Sequence, residues 1–216
     1  MLILDALSCS GLAPTSLTLP AGTIATITGP NRSGKSRLLA GIAGLNPQTS
    51  GEVRVGGLVR KAGGGDDLRP MLGYLFTDPR HQLFSPTVAE DVAFGPAGRG
   101  IQKQALQEKV DAALGQVGLA GRGGETLTSL HVDDLVWTAV AGVIACDPQV
   151  LLWDDAGLWF DEKGQMRMVE FLRRWVSEGE RCVLLSSRDA ALGQRIGGPM
   201  FRMEQGTLHL ETGATA

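Results

Sequence analysis

Apolar residues along the chain form short continuous runs, separated by longer segments whose apolar residues recur at helical spacing. Continuous apolar runs are typical of strands that are buried on both faces of a parallel sheet. The runs of this kind are Thr23–Thr28, Val150–Trp153 and Cys182–Ser186. The other predicted strands are Leu2–Asp5, Ser16–Leu19, Glu52–Val55 and Met71–Phe76, with a final hairpin formed by Met200–Glu204 and Leu208–Leu210.

Helices are predicted between these strands. The segment Lys103–Val117 carries its apolar residues at helical spacing, and Thr87 can cap a helix that runs through Ala89–Phe94. The remaining predicted helices are Ser36–Ala43, Val132–Cys146 and Glu162–Ser177. This order predicts an open α/β sheet that helices interrupt. The glycine-rich stretch Lys61–Asp67 is predicted to be a flexible turn, and the residues after Leu210 a loose tail.

Bulk properties narrow the classes of function. With 216 residues, 43% hydrophobic content and a formal net charge of −3, the chain can form one sizeable core, and it has no basic excess that would favour nucleic acid as a partner. The three cysteines lack metal-ligand spacing, which indicates reduced thiols of a cytosolic protein. The first residues lack the basic region of a signal peptide, and no apolar run approaches the ~20 residues of a membrane span. We therefore expect any membrane role to come through a partner.

The segment after the first buried run carries the most specific chemistry. It fits the P-loop pattern G-x-x-x-x-G-K-[ST] and stands between a predicted strand and a predicted helix. Such a backbone points several N–H groups at one phosphate, at the positive end of the helix. We expect Lys35 to reach the β- and γ-phosphates of a nucleotide and the Ser36 hydroxyl to hold Mg²⁺. The alternative is a chance Gly/Ser turn before a helix. The predicted binding residues are Gly29, Pro30, Asn31, Arg32, Ser33, Gly34, Lys35 and Ser36.

Asp154 directly follows the apolar run Val150–Trp153. A carboxylate at the end of a strand beside the P-loop can hold the Mg²⁺ shell, in this case through water. Asp154 and Ser36 are therefore the predicted metal site. The alternative is a strand-end aspartate that caps a turn.

Three segments together point to a family. The P-loop begins Gly-Pro-Asn, the apolar strand continues into Asp-Asp, and between them lies the run Leu75–Pro96 (LFTDPRHQLFSPTVAEDVAFGP). Over nearly all of residues 1–210 the chain resembles the nucleotide-binding subunits of ABC transporters, in particular the energy-coupling-factor and cobalt-importer branch. The resemblance implies a P-loop NTPase-type α/β fold: a mainly parallel sheet with flanking helices, an antiparallel β portion and an inserted helical subdomain at about 78–146. It implies one domain over 1–210, with 211–216 as the tail.

The resemblance also implies a function. The chain would be the ATP-binding subunit of an importer for a metal ion or vitamin, with ATP and Mg²⁺ as ligands. It would lie in the cytoplasm, on the inner face of the cell membrane. A membrane subunit is expected to dock near Leu83 and Phe84, unless Phe84 belongs to the core. A second ABC ATPase subunit is an expected partner, and nucleic acid is not. The alternatives are a non-hydrolysing regulatory or structural subunit, and a soluble P-loop protein such as a small kinase, against which the run Phe84–Pro96 argues.

The chain departs from the family at positions that serve nucleotide chemistry. Gly11 stands where the family has an aromatic residue that stacks on adenine, and Thr77 stands at the position of the Q-loop glutamine. The family signature L-S-G-G-Q aligns with Leu130–Asp134 (LHVDD), which has lost both glycines and gained two negative charges. Asp155 replaces the glutamate that follows the metal-binding aspartate, and Arg188 replaces the switch histidine.

These departures predict weak or absent hydrolysis. Shortening Glu to Asp at position 155 withdraws a candidate general base by one methylene; the alternative is an acidic remnant without a catalytic role. Arg188 can contact a γ-phosphate only as a fixed cation; the alternative is a solvated surface arginine. Thr77, Asp155 and Arg188 belong to the chain's own site, whereas the signature completes a partner's site. A homodimer would therefore have two defective sites, and a heterodimer is favoured.

Overall fold

The computed structural model describes residues 1–61 and 68–211, and these form two compact units. One unit is built from the residues up to Tyr74 and the described residues from Gln149 onward, and the other is Leu75–Pro148. The second unit encloses residues 78–146, where the sequence predicts a helical subdomain. Of the predicted turn Lys61–Asp67, residues 62–67 lie outside the described residues, as do residues 212–216 of the predicted tail.

Ten strands lie within the described ranges, and they form two sheets. Their bounds are β1 (Leu2–Cys9), β2 (Thr15–Leu19), β3 (Ile24–Thr28), β4 (Thr49–Val55), β5 (Leu58–Lys61), β6 (Leu72–Leu75), β7 (Val150–Trp153), β8 (Cys182–Ser186), β9 (Met200–Glu204) and β10 (Thr207–Leu210). The antiparallel sheet has the order β2-β1-β4-β5. The mixed sheet has the order β10-β9-β3-β8-β7-β6, in which β9, β3, β8 and β7 are parallel and β10 is antiparallel to β9. The predicted fold class is confirmed.

Burial follows the pattern of the sequence. Every residue of β3, β7 and β8 is buried, as continuous apolar runs predict for central parallel strands. In β2 buried and exposed residues alternate, which is typical of a strand with one solvated face. The main core of the first unit combines residues of both sheets with Leu38, Leu39 and Ile42 of the helix that follows β3.

Six α-helices lie within residues 1–61 and 68–211, and the long predicted ones are confirmed. Their bounds are α1 (Lys35–Ala43), α2 (Val88–Gly98), α3 (Lys103–Gln116), α4 (Val132–Ile144), α5 (Glu162–Ser177) and α6 (Ala190–Ile196). Helix α1 ends at Gly44, whose φ of 75° is the left-handed cap that favours glycine. None of the described helices is long and apolar enough to cross a membrane.

The second unit contains α2, α3 and α4, which pack against one another. The predicted cap of α2 is confirmed: the Thr87 hydroxyl accepts from the Glu90 N–H, and the Glu90 carboxylate accepts from the Thr87 N–H. This reciprocal capping box satisfies two helix-end donors. Gly95 allows close packing, because a Cβ there would lie 2.5 Å from the Cys146 Sγ.

Two elements of the first unit were not predicted. Strand β5 has mostly exposed residues and no apolar alternation, so its sequence carries no strand pattern. Helix α6 is only seven residues long, although Asp189 caps it by accepting from the Ala191 N–H at 2.8 Å. Strand β1 also continues past the predicted end at Asp5 to Cys9. Its pairing with both neighbours shifts around Ala6, whose φ of 47° interrupts the alternation.

Candidate functional site

The P-loop lies in the first unit, between the end of β3 and the start of α1. Both of its glycines are required, because other parts of the chain approach them closely. Gly29 has φ 133°, and a Cβ there would lie 2.3 Å from the Met203 carbonyl oxygen. Gly34 has φ 120°, and a Cβ there would lie 2.5 Å from the Leu12 Cδ2. The loop is thus held in shape by neighbouring backbone and core.

Arg32 occupies a third position of the loop with positive φ, at 63°. A non-glycine residue in the left-handed region is strained by roughly 1–2 kcal/mol, because its Cβ crowds the following carbonyl oxygen. The side chain of Arg32 is exposed. The motif pattern allows any residue at this position, so the backbone strain at Arg32 could not be predicted from the sequence.

The Lys35 ammonium lies inside the loop. Its Nζ donates to the carbonyl oxygens of Gly29 at 2.8 Å and Pro30 at 3.0 Å. Burial lowers the pKa of Lys35, and the carboxylates of Asp155 and Asp154 oppose that shift. The amine is therefore held by neutral acceptors that a phosphate group can replace.

Asp154 is a buried carboxylate in contact with the P-loop, and two hydroxyls donate to it. Its Oδ1 accepts from the Ser36 Oγ at 2.9 Å and from the Ser186 Oγ at 2.8 Å. Ser186 also accepts from the Asp155 N–H at 2.8 Å. Sequence reasoning missed Ser186 as a site residue. The available signal was its place at the end of β8, since the carboxyl ends of adjacent parallel strands meet at one sheet edge.

Asp155 and Arg188 form an ion pair. The Asp155 Oδ2 lies 3.6 Å from the Arg188 Nε, and the two side chains are 20% and 43% exposed. Burial is the main cause that raises the pKa of Asp155, followed by its neighbour Asp154, whereas Arg188 and Lys35 oppose the shift. Asp155 has a φ of 49°, in the left-handed region. The structure therefore places Asp155 and Arg188 together beside Asp154, and Arg188 keeps a solvated side.

The residues at this site fit a nucleotide with Mg²⁺. The buried Ser33 Oγ has no hydrogen-bond partner among the described residues, and the same holds for the Asp155 Oδ1. A hydroxyl and a carboxylate, on Ser36 and Asp154, supply the oxygen ligands that Mg²⁺ prefers. The loop around Lys35 presents a cation and helix N-terminal N–H groups to an anion.

The other predicted site residues lie in the second unit. Thr77 follows the end of β6, and the signature segment Leu130–Asp134 leads into α4. The Asp134 carboxylate is paired with the Arg122 guanidinium at 3.0 Å, and Arg122 also binds Glu125 with two bonds of 2.6 and 2.8 Å. The negative charge that Asp134 was expected to present is thus balanced within the second unit, whereas the Asp133 side chain is exposed.

An exposed aromatic pair also lies in the second unit. Phe84 is 64% exposed and Phe94 60% exposed, and their rings meet edge to face with centroids 4.7 Å apart. The loop before α2 is held by Asp91, whose Oδ1 accepts from the N–H groups of Phe84 and Ser85, each at 2.9 Å. The alternative that Phe84 belongs to the core is therefore wrong.

Comparison with known proteins settles the family. A model of the ABC transporter family matches residues 12–157. The chain belongs to the ABC transporter family. The energy-coupling factor transporter ATP-binding protein EcfA1 of Methanospirillum hungatei is 32% identical over 192 residues, which are 89% of this chain and 69% of that protein. EcfA1 of Levilactobacillus brevis is 33% identical over 178 residues, which are 82% of this chain and 64% of that protein. This chain thus spans about two thirds of their lengths.

Solved structures of ATP-binding cassettes share the fold. The structure of cbiO1 from Clostridium perfringens, part of the ABC transporter complex cbiONQ, has a TM-score of 0.86 and 25% identity, and covers 96% of this chain and 86% of that one. The ATP-binding cassette MJ0796, solved as a post-hydrolysis dimer with ADP and Pi, has a TM-score of 0.84, 21% identity and 98% coverage of both chains. The predicted ABC ATPase family and its energy-coupling-factor and cobalt-importer branch are confirmed.

Proposed function

We propose that this chain binds Mg-ATP at its P-loop as the ATP-binding subunit of an energy-coupling-factor-type importer for a metal ion or vitamin. Its place would be in the cytoplasm, on the inner face of the cell membrane. The observation that carries the binding proposal is the contact of 2.9 Å between the Ser36 Oγ and the Asp154 Oδ1, beside the Lys35 ammonium. These are the three side chains that phosphate and Mg²⁺ binding needs.

Each side chain has a defined part in binding. Lys35 exchanges its two carbonyl partners for phosphate oxygens, whose negative charge attracts the ammonium more strongly than a neutral carbonyl oxygen does. Ser36 and Asp154 would hold Mg²⁺, with Asp154 kept in orientation by the Ser186 hydroxyl. Mg²⁺ bound there would neutralise negative charge on the phosphate groups.

Thermal denaturation tests this binding. A ligand at 100 times its dissociation constant stabilises the folded state by about 2.7 kcal/mol. For a chain of this size each kcal/mol raises the melting temperature by about 2–4 °C, so we expect Mg-ATP to raise it by roughly 5–10 °C. Lys35→Ala should abolish the rise, and the exposed control Lys163→Ala should retain it. No rise at millimolar Mg-ATP in the wild type would refute nucleotide binding.

We further propose that this chain alone hydrolyses ATP very slowly or not at all. The observation that supports this is the pair Asp155–Arg188, because one oxygen of the shortened carboxylate is engaged by a guanidinium. A general base must lie within hydrogen-bond reach of the proton that it removes. The signature segment and Thr77 differ from the family as well, so several groups of the chemical step have changed together.

Phosphate release measures this directly. Groups that act as a unit are strongly non-additive, so Asp155→Glu alone should recover little activity. A variant with Gln at position 77, Glu at 155, His at 188 and the family signature at 130–134 should recover much more. Brisk hydrolysis by the purified wild type, abolished in Lys35→Ala, would contradict the proposal and assign the base role to Asp155 or another group.

The second candidate is a non-hydrolysing regulatory or structural subunit of an ABC-type complex. It is favoured by the Asp134–Arg122 pair of 3.0 Å, which commits a residue of the signature segment to an internal ion pair. In both cases a second ABC ATPase subunit is the proposed partner, in a heterodimer. Phosphate release by the chain co-expressed with its transporter subunits separates the two. If Lys35→Ala lowers the rate of the complex, nucleotide at this chain's site supports hydrolysis; if the rate is unchanged, turnover does not need the site and a structural role is favoured.

The proposed docking surface for a membrane subunit is the exposed pair Phe84 and Phe94, together with the adjoining Leu83. Exposed apolar side chains in one patch typically mark a protein contact. Phe84→Asp should abolish co-purification with the membrane subunit and leave the Mg-ATP thermal shift intact. The matched control is Met166→Asp, since Met166 is similarly exposed, at 57%, but lies on α5. A folded Phe84→Asp variant that still co-purifies would exclude this surface.

A further inference from the structure

The side chain of Arg37 fills a space beside the P-loop that a side chain at residue 11 would otherwise occupy. Arg37 is exposed and lies on the first turn of α1, directly after Ser36. Its Nη1 donates to the Ser10 carbonyl oxygen at 2.8 Å. A Cβ built on Gly11 would lie 2.4 Å from that Nη1 and 3.6 Å from the Arg37 Cζ. The Arg37 guanidinium therefore occupies space that is free only because residue 11 is a glycine.

Hydrogen bonds to the backbone join the segment that accepts from this guanidinium to the P-loop and to α1. The Gly206 N–H donates to the Ser33 carbonyl oxygen of the P-loop at 2.9 Å, and the Ala13 N–H donates to the Gly206 carbonyl oxygen at 2.8 Å. The segment that holds Gly11 is thus joined to the P-loop through one glycine. On the other side, the Cys9 Sγ donates to the Arg37 carbonyl oxygen at 3.6 Å, which ties the end of β1 to α1.

A planar cation in this place has a specific chemical use. The guanidinium plane of arginine stacks on aromatic faces, and in nucleic-acid complexes it stacks on unpaired bases. The bond to Ser10 uses one donor and orients the plane, so less side-chain entropy is lost when a base arrives. Arg37 directly follows Ser36 of the P-loop and is exposed, which makes its guanidinium available to the base of a nucleotide whose phosphates Lys35 holds.

We propose that Arg37 is the nucleobase-binding residue of this site, with its guanidinium stacked on the base. The inference rests on the proposed nucleotide binding at the P-loop. Stacking uses the face that every base has, so it predicts tolerance for ATP and GTP. The site is thus expected to select the triphosphate and to discriminate weakly between purines.

The test compares three ligands of different content: Mg-ATP, Mg-GTP and magnesium tripolyphosphate, which has no base or ribose. Dissociation constants are measured by calorimetry for the wild type, Arg37→Ala and Arg37→Lys, with Arg54→Ala as the control for loss of a surface arginine. A cation held over an aromatic ring and partly desolvated contributes about 1–2 kcal/mol. Arg37→Ala should therefore weaken ATP and GTP binding about 5- to 30-fold. Arg37→Lys, which keeps the charge and loses the plane, should weaken both nearly as much.

The ligand without a base decides between stacking and a phosphate contact. Tripolyphosphate affinity should stay within about twofold of the wild type in both Arg37 variants, and the wild-type affinities for ATP and GTP should lie within about threefold of each other, because all bases offer a stacking face. If ATP and tripolyphosphate weaken together in Arg37→Ala, Arg37 contacts phosphate and the proposal is overturned. If the Arg37 variants bind all three ligands as the wild type does, the proposed role of Arg37 is refuted, whereas nucleotide binding at the P-loop is still supported. If the wild type binds none of the three ligands, both proposals fall.

Discussion

Replacing Ser186 by alanine should destabilise the chain and loosen the proposed metal site. The Ser186 side chain is fully buried, and its hydroxyl donates to the Asp154 Oδ1 while accepting from the Asp155 N–H, both at 2.8 Å. A hydrogen bond to a charged group contributes about 1.5–3 kcal/mol, and a buried donor left without an acceptor costs about 1–3 kcal/mol. The two effects share one hydroxyl and are not additive, so we expect a loss of about 2–4 kcal/mol.

The assay is thermal denaturation with and without ligand. A loss of about 2–4 kcal/mol should lower the melting temperature by roughly 5–15 °C in a chain of this size. The control is Ser177→Ala, an exposed serine at the end of α5, which should stay within about 0.5 kcal/mol of the wild type. Because Ser186 orients Asp154, its removal should also reduce the extra stabilisation that Mg²⁺ adds to ATP more than the stabilisation by ATP without metal.

A melting temperature for Ser186→Ala equal to that of Ser177→Ala would refute the reasoning. It would mean that water replaces the hydroxyl without cost, and that the remaining partners of Asp154 suffice to orient it. A destabilised variant with an unchanged Mg²⁺ effect would limit Ser186 to a structural role. Both outcomes are visible in the same set of melting curves.

Further predictions concern the backbone of the P-loop and of α3. Gly29→Ala should destabilise the chain by at least about 1–3 kcal/mol and abolish nucleotide binding, because the added Cβ would meet the Met203 carbonyl oxygen at 2.3 Å in a strained backbone; a normal melting temperature would contradict this. Gly115→Ala in α3 is the control without a steric clash, because nothing lies within 4 Å of the new Cβ. It should stabilise the folded chain by about 0.5–1 kcal/mol. Arg32→Gly should raise the urea midpoint by relieving the strain at φ 63°, with a net gain of about 0.5–1 kcal/mol after the entropy of glycine is subtracted; an unchanged or lower midpoint would count against such strain.

The parts of the fold that the sequence predicts well are those in which local pattern and burial agree. The strand Val150–Trp153 and the helix Glu162–Ser177 have the predicted bounds, because one is apolar throughout and the other is apolar along one face. The P-loop is recognisable because its backbone demands glycine at fixed spacing, as the close approach at Gly29 shows. Asp154 was predictable because it directly follows a buried strand.

The remaining features depend on contacts between distant parts of the chain. Ser186 meets Asp154 only because β7 and β8 are adjacent and parallel, and a lone serine at a strand end carries no sign of its partner. The Arg37 guanidinium reaches Ser10 across 27 positions of sequence, and the resemblance indicated only that the family's aromatic residue is missing at Gly11. Strand β5 lacks an apolar pattern because most of its side chains are exposed.

The contacts in the site favour the binding of Mg-ATP over its hydrolysis. Lys35 donates hydrogen bonds to two carbonyl oxygens, and Ser36 donates one to Asp154. A nucleotide with Mg²⁺ offers each of these two side chains a charged partner in exchange. Asp155 is in a different position, because its partner Arg188 already carries a full positive charge. A proton that Asp155 takes from a water neutralises its carboxylate and so weakens that pair, even at the Oδ1, which has no hydrogen-bond partner among the described residues. This contrast supports the proposed division: the arrangement that binds Mg-ATP needs only partner exchange, whereas general-base catalysis by Asp155 gives up the charge that pairs with Arg188.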